Sequence, residues 1–189
     1  MKRKFKLLTS VASLCLAVAL MAFGVYAAAK PTVLITGSVT FQAENVFADV
    51  EVYKYVGASK IEAAGEGWIK VGDTISFDNT DNNGKPAAIG ELSLDDTKLV
   101  AQYKIVVKNT FTAKDTDKVY VKVAQATANG SLPTGVNFEE STNEGQATTT
   151  DYVYVATYTV TPEEAGATFD AIDLVGAQVT ISRDTIPAA

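Results

Sequence analysis

The chain of 189 residues has no histidine and a single cysteine, Cys15. Those two gaps close most routes to catalysis. No Ser–His or Cys–His pair can form, and the nitrogen and sulfur ligands that usually hold zinc, copper or non-haem iron are missing. Carboxylate chemistry, lysine or tyrosine chemistry, and oxygen ligation of Ca2+ or Mg2+ remain. Positive charge is also scarce, with 16 Lys and Arg against 22 Asp and Glu. Helical periodicity is almost absent.

What is present begins with an address. Lys2, Arg3, Lys4 and Lys6 open the chain, and no charge follows from Leu7 to Ala29. A basic start, an apolar run and a small-residue exit at Ala27-Ala28-Ala29 are the marks of a secretory signal peptide. The expectation is cleavage between Ala29 and Lys30, with an exit at Ala27 as the second candidate. Residues 1–29 are then the signal peptide and 30–189 one domain. The competing reading is an uncleaved anchor, since roughly 20 apolar residues span a bilayer; that segment is the chain's one expected route to the membrane. Cys15 lies in the middle of the run after Leu14, which reads as a small apolar residue in a discarded helix rather than a lipid-bearing cysteine. Without residues 1–29 the charge is 12 basic against 22 acidic, a net −10. Nucleic acid and anionic lipid are bound through clustered Lys and Arg, so neither is an expected partner.

After Lys30 the dominant pattern is alternation with period two. Val33, Ile35, Val39 and Phe41 share one face of PTVLITGSVTFQA, with Gly37 in register. Val46, Ala48, Val50 and Val52 alternate with Phe47, Asp49, Glu51, Tyr53 and Tyr55. Leu99, Ala101, Tyr103, Ile105 and Val107 oppose Gln102, Lys104 and Lys108, and Val119, Val121 and Val123 oppose Tyr120 and Lys122. TDYVYVATYTV and GAQVTISR behave alike. Turn clusters are read at 78–86, 112–118, 129–135 and 139–150. Thr161-Pro-Glu-Glu-Ala165 could start one helical turn, and Ser59–Gly67 a loop or short helical piece. At least seven strands with polar outer faces predict an all-β fold, a single antiparallel β-sandwich of jelly-roll or Ig-like type following an N-terminal signal helix.

Three groups of residues are candidates for chemistry. Asn79, Asp81 and Asn83, followed by Gly84, match the first half of a calcium loop. The bidentate Glu such a loop needs is replaced by Gly90, and Asn-Gly among Asn and Asp is equally the chemistry of a tight turn. The acid pairs Asp95-Asp96, Glu139-Glu140 and Glu163-Glu164 could serve a hydrolase only if both members faced one cleft. Neighbours in a strand face opposite ways, so solvated surface is the expectation. Tyr53, Tyr55, Tyr120, Tyr152, Tyr154 and Tyr158, with the lone Trp68, could build a platform for carbohydrate or a protein partner; ordinary sheet packing is the alternative.

The signal run LLTSVASLCLAVALMAFGVYAA and the strand AQYKIVVKNTF (Ala101–Phe111), followed by Val119–Ala124, resemble the secreted Gram-positive proteins processed by a SipW-type signal peptidase. TasA and camelysin biofilm-fibre proteins are the best-known members. The resemblance implies a non-enzymatic structural protein, secreted or on the cell surface of a Gram-positive bacterium, with the signal peptidase as its partner during export and itself or homologous subunits as partners in a fibre. It also implies that the strand freed by processing is donated to the next subunit's sheet, here Val33, Ile35, Val39 and Phe41 of Lys30–Gln42. The metallopeptidase activity described for camelysin-like proteins does not carry over, because no His-Glu-x-x-His exists here. No cofactor is expected beyond Ca2+ in the Asn79 loop. The alternatives are a secreted monomeric module binding carbohydrate or acting as a surface adhesin, and a carboxylate-based hydrolase.

Overall fold

The computed structural model describes residues 33–79, 84–110, 118–124, 132, 135–161 and 171–183. The expected signal helix, its cleavage site at Ala29 and Lys30, and Pro162–Ala165 lie outside these residues.

Eleven strands are present among the described residues. They are β1 (Val33–Glu44), β2 (Phe47–Gly57), β3 (Ile69–Asp78), β4 (Lys85–Ala88), β5 (Leu92–Leu94), β6 (Val100–Asn109), β7 (Val119–Ala124), β8 (Val136–Glu140), β9 (Glu144–Ala147), β10 (Tyr152–Val160) and β11 (Ala171–Ser182). They form two sheets. The first runs β4-β1-β11-β7-β9, with β5 also paired to β1, and the second runs β3-β2-β6-β10-β8. The chain is a β-sandwich, as the alternation requires: a strand with one apolar face must bury it against a second sheet.

The inner faces follow the sequence pattern closely. Val33, Ile35, Val39, Phe41 and Ala43 of β1 meet Ala48, Val50 and Val52 of β2 and Tyr103, Ile105 and Val107 of β6 in one continuous core. Burial alternates along β1 and β2 with the period of the pleat. Leu92 and Leu94 are fully buried although β5 has only three residues.

Several sequence expectations need correction. The sandwich is not antiparallel throughout: β1 and β11 pair in parallel over ten residue pairs, from Leu34 opposite Ala171 to Glu44 opposite Ser182. Period two identifies a strand but is blind to the direction of its neighbour. The segment 139–150, read as turn, holds the end of β8 and all of β9, whose short polar edges lack an apolar face. β3 is a further strand that was not expected: Ile69, Val71, Ile75 and Phe77 alternate along it, but Gly72 and Asp73 interrupt the pattern and of the four only Phe77 is buried. Of the two forms expected for Ser59–Gly67, a loop or a short helical piece, the structure has the loop.

Candidate functional site

Two regions stand out: the place of β1 in its sheet, and the outer face of the second sheet. β1 is not an edge strand. β11 covers one side of it, while β5 and then β4 cover the other, Val33–Ile35 pairing with Leu92–Leu94 and Ser38–Phe41 with Lys85–Ala88. Val33, Ile35, Val39 and Phe41, expected to fill another subunit's sheet, are each at most 4% exposed in their own. The register with β11 shifts once: Gly37 faces Leu174 and Val39 faces Ala177, so β11 carries one residue more over that span. Gly37 takes a φ of 136°, and its carbonyl accepts a hydrogen bond from the Ile89 N–H.

β1 passes to β2 in the opposite sheet through Asn45 and Val46 alone. Asn45 has a φ of 51°, in the left-handed region that Asn tolerates better than most residues. Val46 is buried, and its carbonyl accepts from the Asn79 N–H at 2.8 Å. A cavity of about 10 Å3 lies beside this link, lined by Asn45, Val46, Phe47, Asn109 and the flanking Lys118, Val119 and Arg183.

The outer face of the second sheet carries an ion cluster centred on Glu51. Its carboxylate accepts from Lys108 Nζ at 2.7 Å, Lys70 Nζ at 2.9 Å and the Tyr53 hydroxyl at 2.9 Å. The bonds from Lys108 and then Lys70 hold the Glu51 pKa down to about 2, and Glu51 in turn raises that of Lys108. Next to this cluster the segment 58–68 crosses the sheet as a strap. Gln102 ties it down: its Oε1 accepts from the Ile61 N–H at 2.9 Å, and its Nε2 donates to the Ile61 carbonyl at 3.2 Å. Lys104 Nζ donates to the Ala63 carbonyl at 3.0 Å and lies 4.5 Å from the Trp68 ring centroid and 4.7 Å from that of Tyr53. Burial lowers the pKa of Lys104. Gln102, read as an outward polar residue, is thus 2% exposed because the strap covers it.

Between the strap and β8 and β10 lies an open groove of about 250 Å3. Gln102 and Thr157 form its floor, joined by a 3.1 Å hydrogen bond. Lys60 on the strap and Glu139 on β8 approach to 3.5 Å.

The candidate tyrosines separate. Tyr152, Tyr154 and Tyr158 belong to the core, where the Tyr154 hydroxyl donates to Glu140 at 2.7 Å and hydrogen-bonds with the phenol of Tyr103. Burial pushes Tyr103 up to about 12 and raises Tyr154 as well. Tyr53, Tyr55 and Trp68 remain on the outer face, Tyr55 and Trp68 with ring centroids 6.2 Å apart. Of the acid pairs, Asp95 caps its own turn, accepting from Thr97 N, Thr97 Oγ1 and Lys98 N, bonds that hold its pKa at about 2. Glu139 and Glu140 serve different partners, Lys60 and Tyr154. Glu163 and Glu164 lie outside the described residues. So do Asp81 and Asn83 of the calcium loop; Asn79 alone is described, at a φ of 71°. Among the described residues no three Asp, Glu, Cys or His side chains gather as a metal site.

The strap, the Glu51 cluster and the link at Asn45 escaped the sequence reading. Only the unusual density of Glu, Lys and Tyr in EVYKY and QYK marks the first two. No family model matches this chain, and no curated protein matches it.

Proposed function

We propose that this protein is an exported, non-enzymatic structural subunit of Gram-positive cell-surface or biofilm-matrix material, joined to its neighbours by donation of β1. The observation that supports this reading is the position of β1. It fills an interior slot between β11 and β4–β5, yet it belongs to the N-terminal end of the fold and is tied to the rest through one short link. A strand so placed can complete its own sheet or the same sheet of another copy, with backbone hydrogen bonds and alternate side-chain pockets supplying affinity and register. Head-to-tail donation is heterologous, and a heterologous contact whose rotation does not close extends into a fibre.

The sheet edges favour this route over simple edge-to-edge growth. β3 carries two residues more than β2 between Val50 and Val52, with Gly72 at a φ of 69°. β4 carries Lys85 and Pro86, and β8 and β9 are short and acidic. Bulges, proline, charge and brevity are all devices that block edge pairing. The test is negative-stain imaging and size-exclusion chromatography of the exported protein, with its N-terminus fixed by mass spectrometry. Ordered polymers that vanish when Lys30–Val39 is deleted are the expected result; polymers that survive the deletion overturn the strand role.

A second reading rests on the groove over Gln102 and Thr157, whose uncharged polar floor and mixed-charge walls suit a hydroxyl-rich ligand such as a carbohydrate. A strict monomer that retains glycans would favour it.

A further inference from the structure

We infer that the link Glu44-Asn45-Val46 is the hinge that sets whether β1 folds back into its own sheet or enters the slot of a second copy. This inference rests on the strand-donation reading above and deepens it by naming the element that controls exchange.

Every contact of β1 with β4, β5 and β11 is the same whether the strand and the slot come from one chain or two. The balance between the two forms is therefore set by what differs, which is the link and the loss of freedom on association. Here the link is short and conformationally demanding. Two residues carry the chain from one sheet to the other, and the first of them holds a φ of 51°. Short, strained connections are the ones that invite swapping, because opening them relieves the strain. A cavity of about 10 Å3, room for about one water, lies against Asn45, Val46 and Phe47.

The slot is specific for β1. Its walls receive Val33, Ile35, Val39, Phe41 and Ala43 on the inner face. The extra residue of β11 opposite Gly37–Val39 fixes the register, so a strand slid along the slot meets the irregularity in the wrong place. The occupant that satisfies both conditions is the β1 of a second copy.

The geometry of β1 and β4 supplies a direct reporter. Ser38 and Ala88 are directly opposite and both exposed. The bond from Ile89 N to the Gly37 carbonyl marks them as a non-hydrogen-bonded pair, the closer of the two antiparallel types and within disulfide range. In the full chain, with Cys15→Ser leaving no other thiol, Ser38→Cys with Ala88→Cys forms an intrachain disulfide when β1 stays home. The same pair forms an interchain disulfide when β1 is exchanged. Non-reducing gel electrophoresis separates the two.

Asn45→Pro forces φ to about −65°, incompatible with the closed link, and the expected result is conversion of the major species from monomer to a covalent ladder. Asn45→Gly accepts positive φ freely and is expected to shift the chain toward intrachain monomer. Should the proline variant fail to fold, Asn45→Val takes its place, since a β-branched residue resists the left-handed region. A wild-type chain that forms ladders to the same extent as all the Asn45 variants overturns the hinge and leaves strand donation standing. Polymers seen by microscopy with only intrachain disulfides overturn strand donation itself.

Discussion

At the scale of single residues, Glu51 shows how a surface charge comes to matter. Four donors converge on it, Lys108, Lys70, Tyr53 and the Thr74 hydroxyl, and its pKa falls from an ordinary 4.5 to about 2. A carboxylate depressed by folding contributes stability that is fully present above its unfolded value and is lost as the pH drops through the folded one. The melting temperature should therefore fall between about pH 4.5 and 2, and Glu51→Gln should lower it at neutral pH while flattening that acid limb. Asp95 shares the direction of shift through its turn-capping bonds, so some acid sensitivity survives the substitution. Gln102 makes a different kind of point. Its carboxamide satisfies both backbone groups of Ile61 beneath the strap, and removing one partner of a buried polar pair costs about 1–3 kcal/mol. Gln102→Ala should loosen segment 58–68 first, read as faster proteolytic cleavage there with the rest of the fold retained. Neither role could be taken from the sequence. Glu51 and Gln102 sit at outward positions of alternating strands, and period two says only that they point away from the core.

Among the elements, the legible strands are those with one clean apolar face. β1, β2, β6, β7, β10 and the end of β11 announce themselves through Val, Ile and Tyr at every second position. β8 and β9 are short edge strands that meet the core over little of their length, while β3, also at an edge, alternates at Ile69, Val71, Ile75 and Phe77 but has that face broken by Gly72 and Asp73. β4 and β5 are too short to show a period; they are strands because β1 lies beside them. The sequence singled out β1 as well, but as a strand in search of a sheet, whereas the structure places it inside its own. Its burial is complete enough that truncation should be felt: Ile35→Ala removes most of a fully buried side chain and should cost about 3 kcal/mol, measurable by denaturant unfolding with an unchanged slope. The same substitution at exposed Ile69 should be nearly neutral.

For the whole molecule, an interior strand near one end of the fold lies parallel to a strand near the other. That arrangement has a mechanical consequence. Parallel neighbours point their chain directions alike, so a pull on the start of β1 and on the end of β11 grips the pair at opposite ends. The load then falls along the strands and across all ten paired positions together, rather than peeling them one at a time. Such a pair acts as a clamp in shear, and rupture requires many hydrogen bonds to fail at once. Force spectroscopy with handles at Val33 and Ser182 should record a single high-force event. Handles at Val100 and Val160 instead grip neighbouring ends of the antiparallel β6–β10 pair, and that pair should separate at lower force. For a protein strung between its neighbours, tensile strength would come from the same contact that completes the fold.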